Sequence, residues 1–399
     1  MSKRKAWQIP IIKTEGDLDI HRKVSWLELF FDLFFVVAVA SVSHNLAKDT
    51  SLNGVINFVL SFIPIWWVWI GATYYNERFE TYGIENRIFT FLLMIPIAGL
   101  AIFSENFFSY NFEKYAISYL LARLIIIFLW ARAGYHNLGF RKTSYYYIIG
   151  FLLGLIFLIT SIFLKDEFRF IMFGIALFVE MYTPILTTKL MKSLPNFTRS
   201  KLPERFGLFI IIVLGEMIVG TITGLKEAGY YNIKELISGI LCIAIGFGFW
   251  WIYFDFVGRR VFKKNIYSVL FWSYLHLPLV LGITCLGAGL SSTIEHKDEI
   301  LIHNHQLISL GAAFVFLILG LLEFTLEKTK NEPTHPLISP LIKIISAMIL
   351  TLNGFLINEN LSVNSLLFIV FIVQLISMFY GLYVWFNQNI DDTSFSEYH

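Results

Sequence analysis

Residues 24–47 read VSWLELFFDLFFVVAVASVSHNLA, a run of bilayer-spanning length that carries Glu28 and Asp32 within it. A span needs about 20 apolar residues, and a carboxylate near mid-bilayer costs roughly 2.5 to 3.5 kcal/mol on insertion scales. Four residues apart on a helix, Glu28 and Asp32 share one face, one turn from each other. That face is expected to look into protein, where something makes the two acids tolerable.

The rest of the chain has the same character. Of 399 residues, 56% are hydrophobic and only 15% charged, with a mean hydropathy of +0.66, far too apolar for a soluble domain. Twelve apolar segments are long enough to span, near 24–46, 54–75, 87–104, 115–135, 144–164, 169–189, 206–225, 235–257, 267–290, 305–326, 337–357 and 362–386. The expected fold is all-α: a polytopic membrane helical bundle of about 12 transmembrane helices.

A net charge of +2 implies no polyanionic partner such as nucleic acid. The expected surroundings are the lipid bilayer. Cys242 and Cys285 both fall in apolar segments and offer neither a disulfide framework nor a metal-ligand spacing, so no cofactor or metal is expected. Residues 1–23 are polar and mixed in charge, without the short apolar core of a removable signal peptide. Lys and Arg concentrate at that N-terminus and in the loops around Arg141 and Lys142, Lys189 to Arg205, and Arg259 to Lys264. The bias places both termini in the cytoplasm.

Laid over each other, the two halves share landmarks. Asp32 answers to Glu216 and Trp66-Trp67 to Trp250-Trp251, each 184 residues on, and Pro96 answers to Pro278 at 182. Three landmarks in order at a nearly constant offset predict two parallel six-helix repeats, 24–190 and 206–386. A cytoplasmic linker, 191–205, would join them, with cytoplasmic ends at 1–23 and 387–399.

Acids at equivalent depth in both halves make Asp32 and Glu216 the leading candidates for an intramembrane polar path. Glu28 and Glu180 extend the acidic set of Asp32 and Glu216, and Arg123 and His276 are the basic groups at comparable depth. Such acids can be neutralised by a proton, by a base or by a bound cation. Trp66, Trp67, Trp250 and Trp251, with Asp255, are candidates to line a cavity, although packing and interface anchoring use tryptophan in the same way. Gly150 with Gly154 has the spacing that lets helices approach closely. His296, His303 and His305 sit beside Asp298 and Glu299 at one loop, a weak metal pattern because exposed histidines commonly bind nothing. No phosphate loop, dinucleotide fingerprint, HExxH or nucleophile elbow is present.

Residues 25–36, SWLELFFDLFFV, together with Glu204-Arg205-Phe206-Gly207 leading into Gly215-Glu216, resemble the bacterial low-temperature-requirement A (LtrA) family. Residues 253–256, YFDF, and 276–282, HLPLVLG, fit the same pattern. The resemblance implies a multi-pass protein of the bacterial cell membrane, linked by name to growth in the cold, and brings no substrate or reaction with it. The family's characteristic positions fall here on Glu28, Asp32, Glu204, Arg205, Gly215 and Glu216. The expected function is a transporter or channel-like protein with an acidic path for a cation, a proton or a proton-coupled solute. Two other classes fit the same residues: an intramembrane enzyme modifying a lipid or polyprenyl, and a scaffold or assembly protein whose polar residues hold helices together.

Overall fold

The computed structural model describes residues 6–12, 24–79, 81, 83–191, 202–229, 233–263, 265–295, 302–328, 334–356 and 362–387. Twelve helices among them are long and apolar enough to cross a membrane. In chain order the helices are α1 Trp26–Lys48, α2 Leu52–Phe79, α3 Ile84–Phe103, α4 Phe112–His136, α5 Leu138–Phe163, α6 Asp166–Leu186 and the short α7 Thr188–Met191. After these come α8 Leu202–Ala228, α9 Ile233–Tyr253, α10 Ile266–Glu295, α11 Ile302–Glu323, α12 Ile338–Phe355 and α13 Val363–Phe386. The twelve expected spans are therefore all present. Most of the N-terminal segment, linker residues 192–201, the tail from 388, and His296, Asp298 and Glu299 lie outside the described residues.

Ser25 starts α1. Its hydroxyl accepts from the Glu28 amide at 3.3 Å while Glu28 Oε2 accepts from the Ser25 amide at 2.9 Å, a reciprocal cap that satisfies two donors the helix end would leave unpaired. Along α1, Phe31, Phe35, Ala38, Val39, Val42 and Leu46 are buried while Trp26, Phe30, Leu33 and Val37 are exposed. One stripe meets protein and carries Glu28 and Asp32 among its apolar residues, and the opposite, wholly apolar stripe suits lipid. Pro96 lies inside α3 and Pro278 inside α10, as Pro64 does in α2 and Pro184 in α6. Membrane helices tolerate proline where neighbouring groups satisfy the freed carbonyls.

Helix neighbours place the core. α1 packs on α2 and α3 from its own half and on α8 and α10 from the other, and α2 also reaches α8 and α10. α5 lies close against α6, because a Cβ at Gly150 would stand 2.3 Å from Thr183 Oγ1 and one at Gly154 would stand 2.5 Å from Glu180 Cγ. Close approach through small residues is the role expected of that glycine pair, and it packs Glu180 tightly into the bundle.

Candidate functional site

Pro203 stands in the first turn of α8, where a missing N–H breaks no helical bond and the fixed φ favours the helix. The helix therefore begins before Arg205, a residue whose place in a basic stretch suggests the linker instead. Arg205 is 1% exposed. Its Nη1 lies 3.1 Å from Glu28 Oε1 and its Nη2 2.9 Å from Asp32 Oδ1. The Trp69 indole N–H donates to the same Asp32 oxygen at 3.1 Å, and the rings of Phe206 and Phe209 pack on Trp69 with centroids 5.0 and 4.4 Å away. One guanidinium thus ties α8 to α1, with α2 closing the third side. Two acids face one base here, and Asp32 Oδ2 and Arg205 Nε have no hydrogen-bond partner among the described residues.

His276 stands beside this cluster rather than in it. Its Nδ1 lies 2.8 Å from the Trp272 carbonyl and its Nε2 3.0 Å from the Tyr253 hydroxyl, while Phe206 packs on its ring at 4.7 Å. Both ring nitrogens are engaged by neutral partners.

The second buried pair has different surroundings. Arg123 of α4 and Glu180 of α6 are 1% and 0% exposed, with Nε 2.8 Å from Oε2. That N–H is not aligned on the oxygen, and Arg123 Nη2 and Glu180 Oε1 have no hydrogen-bond partner among the described residues. Tyr119 donates its hydroxyl to Glu180 Oε2. The guanidinium lies 4.6 Å from the centroid of Phe151 and 5.7 Å from that of Trp67, close enough for each ring face to stabilise the cation. Gly71 makes room for it, since a Cβ there would stand 3.2 Å from Arg123 Nη1.

Arg123 borders a cavity of about 50 Å³ between α2, α4, α5 and α10, whose walls include Trp67, Tyr74, Arg78, Tyr147, Leu270 and Tyr274. A water takes roughly 10 to 15 Å³ on this measure, so the space holds on the order of three to five waters. Among the described residues, two arginines line the cavity and no Asp or Glu does. Arg78 and the Tyr74 and Tyr147 beside it have further interactions of their own, and Pro184 of α6 completes the wall near Glu180.

The remaining candidates scatter. Glu216 is half-buried and makes no hydrogen bond or ion pair with any described residue. Trp66 is fully buried, edge-on to Tyr274 at 6.2 Å. Trp250 is exposed and stacks on Phe247 at 5.5 Å. Trp251 donates to Asp255, which lies just beyond α9 and 3.8 Å from Arg259. Of the four tryptophans only Trp67 lines the cavity beside Arg123.

A third buried charge group lies among residues that the sequence motifs do not single out. Lys343, 0% exposed in α12, lies 2.7 Å from Glu323 Oε1 of α11 and 3.5 Å from the centre of the Phe256 ring. Arg260 approaches the other Glu323 oxygen at 3.5 Å. A lone lysine inside an apolar 18-residue helix is itself a signal, because such a charge needs a partner within the bundle. Among the described residues no three His, Cys, Asp or Glu side chains gather as a metal set.

Comparison with known proteins agrees with the motif that opens the chain. The model of the family described as bacterial low temperature requirement A protein (LtrA) matches residues 23–385, and the chain belongs to that family. It is also similar to an uncharacterized protein of Rhizobium meliloti (strain 1021), 28% identical over 318 residues that cover 74% of this chain and 75% of the relative. No solved structure matches.

Proposed function

We propose that this LtrA-family membrane protein is a transporter of a proton-coupled solute, and that the Arg123–Glu180 pair with its adjoining cavity is the binding and proton-handling site. The single observation that carries this reading is a cavity of about 50 Å³ within the bundle that meets an incompletely bonded ion pair. Burying an ion pair in imperfect geometry is costly and adds little stability, so its position beside a cavity supports a working role. A moving cation finds less support, because both charged residues in the cavity wall are arginines. The acids Glu28 and Asp32 belong to the mechanism as the holders of Arg205, which pins α8 against α1. The cytoplasmic placement of both termini rests on the distribution of Lys and Arg.

Purified protein in vesicles loaded with a pH-sensitive dye tests this. A panel of small solutes added outside should include one that acidifies the lumen only when the protein is present, and Glu180→Gln should uncouple that solute from the proton. Protein-dependent flux that is unchanged in Glu180→Gln, or no protein-dependent flux across the panel, contradicts it.

A further inference from the structure

We infer that the cavity beside Arg123 takes a short-chain monocarboxylate, and that the anion enters together with one proton, which goes to Glu180. The inference deepens the transport reading and rests on it for every step after binding, although binding itself is measurable alone.

Charge comes first. Among the described residues the wall carries Arg78 and Arg123 and no acid, and Arg123 Nη2 is a buried donor without a hydrogen-bond partner. A guanidinium presents a planar fork that fits a carboxylate. Size comes next: room for roughly three to five waters suits a molecule of a few heavy atoms, such as acetate, propionate or butyrate. Ile70, Ile126, Phe151 and Leu270 supply an apolar remainder of the wall, which suits a short alkyl tail and penalises phosphate or sulfate, whose oxygens point in every direction.

The proton is required by charge balance. Before binding, one guanidinium cation faces one Glu180 carboxylate. Were the anion to arrive alone, it would share Arg123 with Glu180, since Arg78 in the same wall already has interactions of its own, and one carboxylate would be left uncompensated. If Glu180 takes a proton, Arg123 turns its charge to the incoming anion and the net charge of the site does not change. Glu180 Oε1, buried and without a hydrogen-bond partner among the described residues, is the oxygen that takes that proton, and the Tyr119 hydroxyl continues to hold Oε2. One proton and one monoanion cross the site as a neutral pair, and no bond to carbon is made or broken.

Saturation-transfer NMR of sodium propionate with the purified full-length protein in detergent tests the inference, because it reads weak binding directly. Wild type should bind saturably, more tightly as pH falls, by up to about tenfold per unit. Glu180→Gln, fixed in the neutral form, should bind equally at both ends of the pH range. Arg123→Gln should lose binding, with Arg123→Lys retaining part of it and so reporting on folding. Leu270→Phe, which fills the cavity from α10, should lose butyrate while keeping formate. No saturable signal in wild type, wild-type binding in Arg123→Gln, or a pH dependence that survives in Glu180→Gln would each overturn the inference, the last because it would mean the neutral acid is what binds. Propionate binding without flux of any solute in vesicles overturns the transport reading and leaves this one standing. Flux of another solute without propionate binding does the reverse.

Discussion

Arg205 and Arg123 are both 1% exposed arginines facing carboxylates inside the membrane-spanning bundle, and they are built for opposite ends. Arg205 divides its fork between Glu28 and Asp32 at 3.1 and 2.9 Å and is walled in by Trp69, Phe206 and Phe209. Arg123 meets one acid, poorly aligned, and opens on a cavity. A charge locked between two acids from another helix resists change in either partner. A charge with one loosely bonded acid and water-sized space beside it can exchange that acid for something else. The chemistry of the residues is the same; the number of partners and the access of water decide whether the pair clamps or works.

Breaking each cluster should separate the two roles. Arg205→Leu strands two buried acids and should cost about 3 to 5 kcal/mol, read as a loss of monodisperse protein in detergent and a fall in its unfolding temperature. Arg123→Leu strands only Glu180, whose Oε2 the Tyr119 hydroxyl still holds, so the loss should be smaller, about 1 to 3 kcal/mol. Adding Glu180→Leu to it should restore most of that stability, as replacing a whole buried pair by apolar groups often does, while proton-coupled flux stays absent. Glu216→Gln touches no described partner and should change stability by less than about 0.5 kcal/mol in the same melting assay. An Arg123→Leu effect as large as that of Arg205→Leu would erase the distinction.

Much of the fold is legible in the residues alone. The twelve spans come from apolar length, and the WLELFFDL string and the ERF triplet, 176 residues apart at Glu28 and Glu204, meet in space through Arg205. The meeting itself is hidden. Arg205 reads as one more cation in a basic loop unless Pro203 and Glu204 are taken as first-turn residues of the next helix, where proline and an acid are both favoured. The constant offset between the halves points from Asp32 to Glu216, yet Asp32 is held by Arg205 and Trp69 whereas Glu216 has no such partner. Equivalent positions in a sequence do not carry equivalent neighbours. The cavity is illegible because its walls come from Trp67, Arg123, Tyr147 and Tyr274 on four helices, residues whose shared surface only packing defines. Lys343 is legible as a lone cation in an apolar span, but its partner Glu323 is fixed only by how α11 meets α12.

Cysteine labelling compares the two clusters most directly. In a background with Cys242 and Cys285 replaced by serine, Ile126→Cys places a thiol in the wall of the Arg123 cavity, and Phe209→Cys places one against Trp69 beside Asp32. A small water-soluble thiosulfonate applied to the reconstituted protein should modify the cysteine at 126, with propionate protecting it, and leave the one at 209 intact. Equal labelling of the two positions, or labelling at 209 alone, would contradict the account.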